Sequence, residues 1–362
     1  METLEEHLSR GEASRDEVFN EKREMIRTEK LVKVFPGGNK AVDEVSFSVY
    51  EGEIFGFLGP NGAGKSTTIM ILTTLLDPTH GKAFVNGYDV NRNRKQVRMN
   101  LGYVSQVLSV DDALSGEENL WLQAGFYNLS REERKKRVNE VLDLTGLQQR
   151  RKDLVETYSG GMRKRLDIAA GLIHRPRVLF LDEPTLGLDI QTRREIWSYI
   201  KRLREEAGMT IFLTTHYMEE ADQICDRIGI IDRGCLMTID TPANLKKSLG
   251  GDLIFFDFAA AVTQGDMELA LQKLGEQPFI KKIAPRANDQ NGFVAVSSDG
   301  EADLPQFFAV LEQLKVKVNR VTLKIPSLDD VFLAFTGSEL REEHADKEKN
   351  MQDRFTMRRL RS

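Results

Sequence analysis

The chain has 362 residues, which is long enough for two domains that each bury a core of their own. Apolar residues make up 40% and charged residues 30%, as in a globular protein, and the formal net charge of -5 argues against a general nucleic-acid binder. The sequence has no signal peptide, no apolar run of the ~18 residues that span a membrane, and two cysteines (Cys225 and Cys235) without metal-site or disulfide spacing, which predicts a cytoplasmic protein.

The first predicted strands follow a charged extension. Residues 1–24 are dense in charge and poor in apolar side chains, so we expect a mobile or loosely helical segment. From Met25 the pattern becomes strand-like and continues through Leu31 to Phe35, after which residues 36–39 form a turn. Residues 42–50 alternate apolar and polar side chains, which predicts a second strand with one buried face.

A glycine-rich loop then connects an apolar strand at 54–58 to the start of a helix at 68–72. Glycines let a backbone wrap closely around phosphate oxygens, and the helix N-terminus adds partial positive charge. Lys65 can reach the β- and γ-phosphates of a nucleotide, and the Ser66 hydroxyl is placed to ligate Mg²⁺. The sequence therefore predicts a nucleotide site formed by Gly59, Pro60, Asn61, Gly62, Ala63, Gly64, Lys65, Ser66 and Thr67.

Further strands and a helical region follow the loop. Residues 83–86 and 101–104 are strand-like, and residues from about 115 to 152 have helical spacing. The charged block at 131–137 is interpreted as a solvated helix face.

The second half of this region alternates strands with helices. Residues 158–162 lead into a helix predicted from Leu166 to His174, and 178–181 form a wholly apolar strand. A helix through Ile196 and Ile200 leads to another strand at 210–214. This alternation predicts an α/β fold with a mostly parallel sheet covered on both faces.

The character of the sequence changes near residue 249. From 250 to 336 the predicted order is βαββαβ, the ferredoxin-like pattern of a small α+β domain. It contains no cluster of histidines, cysteines or paired carboxylates, so we expect a regulatory or docking domain. The charged tail at 337–362 is interpreted as disordered, and contact with an anionic membrane or an acidic partner is the alternative.

Two adjacent carboxylates end the apolar strand at 178–181. At this position Asp182 can ligate Mg²⁺ held over the phosphate loop, and Glu183 can accept a proton from the attacking water. The competing interpretation is that they cap the following helix. The upstream phosphate loop favours the catalytic interpretation.

Other predicted site residues also follow strands or precede a helix. His216 can hydrogen-bond the γ-phosphate or orient the water, and Gln106 can ligate Mg²⁺ through its amide oxygen. Phe35 either stacks on the base or packs in the core, and its position alone does not decide between these. Ser159, Gly160 and Gly161 precede a helix as a second phosphate-binding segment, which could serve a nucleotide bound by another copy of the chain.

These motifs, in this order across residues 25–245, resemble the ATP-binding subunit of an ABC transporter. Residues 59–67 match its Walker A loop, 158–162 its signature, 178–183 its Walker B strand and 187–189, ending in Asp189, its D-loop. Gln106 and His216 match its Q-loop and switch histidine, and Phe35 its base-stacking aromatic residue. Tyr158 and Met162 depart from the usual leucine and glutamine of the signature. Residues 325–332 resemble the daunorubicin-resistance type of exporter ATPase.

The resemblance implies a P-loop NTPase (RecA-like) domain at 25–248, with an antiparallel β subdomain and an α-helical subdomain at about 107–172. It also implies a head-to-tail pair of such domains, expected as a homodimer, that encloses two ATP molecules with Mg²⁺. We expect it to act without nucleic acid, peripherally on the inner membrane face, through a separate transmembrane permease that exports a drug-like or lipid-like molecule. The sequence does not distinguish ATP from GTP, because an aromatic side chain that stacks on the base contacts the face of its ring and not the edge.

The main alternative is a soluble ABC ATPase that acts on nucleic acid or the ribosome. Chromosome-type members insert long coiled coils between the motifs, excision-repair types carry zinc-binding cysteine pairs, and translation-factor types carry two cassettes. This sequence has none of these features. A P-loop kinase would leave the signature and His216 without a task.

Overall fold

The computed structural model describes residues 23–248, 250–285 and 292–336. The extension predicted at 1–24 and the tail at 337–362 therefore lie outside the described residues, apart from Arg23 and Glu24. The chain divides into two compact units between Ile239 and Asp240, ahead of the change of character near residue 249. The reason is local, since the short helix Pro242–Lys247 packs against the helix Leu328–Thr336.

Two sheets make up the β-structure of the first unit. Their strands are β1 (Glu24–Val34), β2 (Lys40–Tyr50), β3 (Ile54–Leu58), β4 (His80–Val85), β5 (Tyr88–Asp89), β6 (Leu101–Val104), β7 (Val178–Asp182), β8 (Thr210–Thr215), β9 (Arg227–Asp232) and β10 (Cys235–Asp240). One sheet has the order β2-β1-β4-β5, and its pairings are antiparallel. The other has the order β10-β9-β3-β8-β7-β6, and the contacts of β3 with β8 and β9, and of β7 with β6 and β8, are parallel.

Aromatic side chains join the two sheets in one core. Phe47 on β2 alternates with polar neighbours and turns inward, where its ring stacks on Phe55 of β3 at 5.5 Å and on Phe212 of β8 at 5.8 Å. β3, β7 and β8 are buried on both faces, and β3 and β7 are almost continuously apolar, as is typical of parallel strands, whereas β8 also buries three threonines. This core fixes the strand ends from which the functional loops depart.

Helices cover the parallel sheet and form a separate helical part between β6 and β7. They are α1 (Lys65–Leu72), α2 (Arg94–Asn100), α3 (Gly116–Phe126), α4 (Arg131–Leu144), α5 (Gly160–Leu172), α6 (Ile190–Ala207) and α7 (Met218–Ile224). The region predicted as helical from 115 to 152 is two helices, because Ser115 and Ser130 each start one with a capping box. Helix α5 starts at Gly160, well before Leu166, because the Ser159 side chain caps it, and it ends at Leu172 instead of His174.

The second unit is a four-stranded sheet with helices. Its elements are α8 (Pro242–Lys247), β11 (Asp252–Phe258), α9 (Gln264–Gly275), β12 (Ile280–Pro285), β13 (Gly292–Ser297), α10 (Gly300–Gln313), β14 (Val318–Lys324) and α11 (Leu328–Thr336). The strand order is β12-β13-β11-β14, and each neighbouring pair is antiparallel. Phe256, Phe258 and Phe307 lie at its centre, fully buried.

Candidate functional site

The phosphate loop occupies the turn between β3 and α1. Gly62 and Gly64 take positive φ angles of 81° and 105°, which glycine adopts without strain. A Cβ on Gly64 would lie 2.3 Å from the carbonyl oxygen of Ala41, so this position has no room for a larger residue. The loop therefore keeps its shape because its glycines permit both the turn and the close backbone approach.

The parallel register places the predicted residues at one edge of the sheet. Leu58 pairs with Thr215, and Asp182 pairs with Thr214. The residues that follow these strand ends, Gly59, Glu183 and His216, are consequently neighbours. Loops after adjacent parallel strands form the crevice in which α/β proteins bind ligands.

Oxygen atoms converge on Asp182 at this edge. The Ser66 hydroxyl donates to Asp182 Oδ1 at 3.2 Å, and the Thr214 hydroxyl donates to the same oxygen at 2.5 Å. Asp182 is 5% exposed, so these two hydroxyls satisfy a carboxylate that would be costly to bury alone. Carboxylate and hydroxyl oxygens are ligands that suit Mg²⁺, so this donor set fits the ion.

Lys65, Glu183 and His216 form a second group beside the first. Lys65 Nζ donates to the carbonyl oxygens of Gly59 at 2.7 Å and Pro60 at 3.1 Å, and it lies 3.2 Å from Glu183 Oε1. His216 Nδ1 lies 3.2 Å from the other carboxylate oxygen, Oε2. The carboxylate is thus held between a cation and an imidazole.

This environment sets the charge of both buried groups. Burial alone would favour a neutral Glu183, yet His216 and Lys65 together hold the pKa of its carboxyl below the ordinary value. Burial lowers the pKa of Lys65, and the charges of Glu183 and Asp182 oppose that shift. Glu183 is therefore ionised at neutral pH and can accept a proton.

Other predicted site residues lie apart from this cluster. Gln106 is exposed two residues after β6, whose last residue, Val104, pairs with Leu181 of β7. Phe35 is half-buried, outside the buried core, and the Lys33 ammonium lies 5.4 Å from its ring centre. Within the described ranges, no hydrogen bond or ion pair joins either residue to Lys65, Asp182 or Glu183.

The two glycine-containing segments near residues 159 and 189 are both helix starts. Ser159 and Gly160 are exposed, and the Ser159 hydroxyl accepts from the Met162 N–H at 3.3 Å. Asp189 caps α6 by accepting from the Thr192 N–H at 3.0 Å. The cap interpretation, offered for Asp182 and Glu183 from the sequence, thus applies to Asp189.

The departures from the usual signature are accommodated locally. The Tyr158 ring is buried, with 5% exposure, and its hydroxyl donates to the Arg150 carbonyl oxygen at 2.7 Å. A Cβ on Gly116 would lie 2.4 Å from that hydroxyl oxygen, so the small residue on α3 makes room for the larger ring. Because Ser159 is the next residue after Tyr158, the buried Tyr158 ring also fixes where Ser159 lies.

The sequence alone did not indicate several residues near the site. Thr214 binds Asp182, and the wholly buried Glu220 accepts from the Thr185 hydroxyl at 2.8 Å and from Trp197 Nε1 at 2.9 Å. Burial raises the pKa of Glu220. The polar residues at the end of β8 were a signal for Thr214. Glu220 gave no signal, because an acidic residue in the first turn of a helix is usually an exposed one.

Two family models match the chain. The model described as ABC transporter covers residues 42–186, and the model described as the C-terminal domain of ATP-binding proteins like DrrA1-3 covers residues 241–336. The chain is 40% identical to the daunorubicin/doxorubicin resistance ATP-binding protein DrrA of Streptomyces peucetius, over 90% of this chain and 97% of that protein. It is 36% identical to the linearmycin resistance ATP-binding protein LnrL of Bacillus subtilis, over 88% of this chain and all of that protein.

Two solved structures each match about three fifths of the chain. Superposition on cbiO1 of Clostridium perfringens, described as part of the ABC transporter complex cbiONQ, gives a TM-score of 0.58 at 28% identity over 61% of this chain and 90% of that one. The ATP-binding cassette MJ0796, described as a dimer in a post-hydrolysis state bound to ADP and Pi, gives 0.54 at 29% identity over 60% and 98%. Among residues 23–248, 250–285 and 292–336, no helix has the length and apolar character needed to cross a bilayer.

Proposed function

The chain belongs to the ABC transporter family of ATP-binding subunits, and we propose that it drives export of a drug-like or lipid-like molecule through a separate permease. Members of this family bind ATP and hydrolyse it to power transport, and they work as dimers with membrane permeases. The two relatives named for resistance to daunorubicin/doxorubicin and to linearmycin support a drug-like cargo. They do not favour the alternative of a soluble ATPase that acts on nucleic acid or the ribosome.

The observation that carries the proposed ATP hydrolysis is the contact of Glu183 with both Lys65 and His216. Glu183 directly follows β7, Lys65 is the first residue of α1, and His216 directly follows β8. In the proposed roles, Lys65 binds the β- and γ-phosphates, Glu183 takes a proton from the attacking water, and His216 orients that water or the γ-phosphate. A phosphate that competes for Lys65 would free one oxygen of Glu183 to face the water.

We assign the Mg²⁺ site to Ser66 and Asp182, with Gln106 as a further ligand. The hydroxyl and carboxylate oxygens of the first two residues already meet at 3.2 Å. When bound, the ion would screen the phosphate charges and draw negative charge away from the reacting phosphate. The backbone of the loop at 59–67 would hold the phosphates, and Phe35 would stack on the base.

We infer that a second copy of the chain completes the pocket. Ser159 and Gly160 are exposed at the start of α5, so their N–H groups can meet an anion from outside the chain. In a head-to-tail homodimer, this segment would contact the ATP held by the partner's phosphate loop. Asp189, exposed at the start of α6, would lie at the same seam.

The proposed contact with the permease lies beside Gln106. Val107, the next residue after Gln106, is 77% exposed, and on α3 Leu122 and Phe126 lie four residues apart on one helix face and are 53% and 72% exposed. Apolar residues exposed together mark interaction surfaces. Through this contact the chain would sit peripherally on the cytoplasmic face of the membrane.

We propose the domain limits 25–248 for the nucleotide-binding domain and 250–336 for a ferredoxin-like domain with a regulatory or docking role. The strand order β12-β13-β11-β14 supports this fold, since the first strand of a ferredoxin-like unit lies between its third and fourth strands.

A substitution at Glu183 tests this function. Glu183→Gln keeps the shape but cannot accept a proton, so we expect ATP binding and ATP-driven dimerisation to persist while hydrolysis falls by at least about 10²-fold. Glu219→Gln, which removes an exposed carboxylate three residues after His216, is the matched control. The measurements are phosphate release by the chain and the antibiotic tolerance of cells that express it with its permease. Normal hydrolysis by Glu183→Gln would refute the base assignment, and unchanged tolerance would refute the export proposal.

A further inference from the structure

Helix α5 carries two charged side chains on its buried face. Lys164 and Asp167 lie about one helical turn apart, and their side chains are only 6% and 1% exposed. They follow Ser159, where α5 begins, by five and eight residues. Neither belongs to the nucleotide cluster described above.

These side chains bind both ends of the segment that contains Gln106. Lys164 Nζ donates to the Ser105 carbonyl oxygen at 3.0 Å. Asp167 Oδ1 accepts from the Ser109 N–H at 3.2 Å and also from the Ser109 hydroxyl. The Lys164 ammonium lies 3.7 Å from Asp167 Oδ2. One helix therefore holds residues 105–109 from two points.

A contribution to folding stability does not by itself explain why Lys164 and Asp167 are buried as a charged pair. Burial lowers the pKa of Lys164, whereas the carboxylates of Asp167 and Asp182 oppose that shift. A buried ion pair is often no more stabilising than apolar residues of the same volume, and the best-attested use of such a pair is to fix one arrangement among several. Here the arrangement that is fixed is the position of the 105–109 segment against α5.

We propose that Lys164 and Asp167 form a clamp that couples Gln106 to Ser159. The coupling has a consequence that rests on the proposed function, in which Gln106 ligates the Mg²⁺ of the nucleotide bound by its own chain and Ser159 contacts the nucleotide of the partner. A shift of Gln106 on nucleotide binding then moves the start of α5 and prepares Ser159 for the partner. Lys164 and Asp167 are positioning residues, because they act through Gln106 and Ser159.

Hydrogen exchange of the full-length chain tests the clamp without need of turnover. The probe is ADP with Mg²⁺, added at a protein concentration where light scattering gives the mass of one chain. In the wild type, ADP should slow exchange at 59–67, at 105–109 and at 160–163. In Lys164→Met the response at 160–163 should shrink by about two- to thirtyfold, the range of typical residue couplings, while the other two persist.

Further variants separate the clamp from a general loss of structure. Asp167→Asn should also reduce the response at 160–163, and Lys164→Arg, which keeps the charge and the donors, should retain it. Lys136→Met removes an exposed lysine from α4 and should behave as the wild type.

Two results would overturn the clamp. One is a normal response at 160–163 in both Lys164→Met and Asp167→Asn. The other is a wild-type chain in which 59–67 responds to ADP and 160–163 does not. Neither result bears on hydrolysis by Glu183, so failure of the clamp and failure of the proposed function are distinguishable.

Discussion

Glu183 occupies a backbone conformation that few residues adopt. Its φ of 47° lies in the left-handed region, which costs a non-glycine residue roughly 1–3 kcal/mol. Its N–H donates to the Thr214 hydroxyl at 3.1 Å, so β8 holds the residue in place. Strain of this kind concentrates at functional sites, where the surrounding structure determines the side-chain direction. The conformation turns the carboxylate toward both Lys65 and His216.

His174, which makes no contact with the catalytic cluster among the described residues, gives the first prediction at this scale. Its Nε2 lies 2.8 Å from the Leu101 carbonyl oxygen, its ring stacks on Tyr127 at 3.8 Å, and burial lowers its pKa from 6.5 to about 4. As the pH falls from 6.5 to 4, the unfolded chain gains a proton at this residue that the folded chain does not bind. The stability that His174 contributes is therefore complete above pH 6.5 and is lost toward pH 4.

We expect the free energy of unfolding to fall by about 2–3 kcal/mol more in the wild type than in His174→Gln between pH 7 and 4.5. Glutamine keeps an N–H donor but has no charged form. Urea unfolding at a series of pH values measures the difference. Parallel pH profiles for the two proteins would show that the imidazole is not kept neutral by the fold.

Individual site residues differ in how far the sequence predicts them. The glycine-rich loop at 59–67 and the pair Asp182–Glu183 can be picked out in the sequence because each has a local pattern, of glycines in one case and of apolar residues followed by carboxylates in the other. Lys164 and Asp167 are hidden in the sequence, because Arg163 and Arg165 beside them make this stretch of the helix look like a charged, solvated face. Their partners, Ser105 and Ser109, are more than fifty positions away, and only the tertiary fold brings them together.

At the scale of secondary structure, the first turn of helix α5 is an element that the sequence does not indicate. A pair of glycines usually indicates a turn, so residues 160 and 161 conceal the first turn of α5. The helix nevertheless starts at Gly160, because the Ser159 hydroxyl accepts from the Met162 N–H as its N-cap, ahead of the apolar residues. Strands are easier, and the apolar runs that end at Leu58, Leu181 and Thr214 predict β3, β7 and β8 within one residue.

The N-cap of α6 gives a prediction about Asp189, which has two proposed tasks. Asp189→Ala removes the acceptor for the Thr192 N–H and should lower the melting temperature by about 2–4 °C. Asp189→Asn keeps a side-chain oxygen that can cap the helix, so its melting temperature should match the wild type. Both variants should hydrolyse ATP more slowly if the carboxylate also serves the dimer seam. If Asp189→Asn hydrolysed ATP at the wild-type rate, capping helix α6 would be the only role left for Asp189.

At the scale of the whole molecule, the chain divides into two compact units. The first unit supplies the strand ends at which Lys65, Asp182, Glu183 and His216 meet. The second has its own aromatic core and its own sheet. Alternation of strands and helices predicts the order of the elements from β11 to β14, because each of these elements shows its own hydrophobic period. It does not predict β9 and β10, which follow the last strand predicted for the first unit. The boundary at residue 239 is less visible, since α8 belongs to the second unit only through its packing on α11.

The central claim is that two chains share each catalytic pocket, and a mixing measurement tests it most directly. Glu183→Gln and Ser159→Ala should each be inactive alone, because every pocket lacks either its base or its signature serine. A dimer with one copy of each variant carries one pocket with both defects and one intact pocket. Equal mixing should therefore restore about a quarter of the wild-type rate of ATP hydrolysis, since half of randomly mixed dimers contain one intact pocket of two. A mixture no more active than the two variants measured separately would contradict the shared pocket.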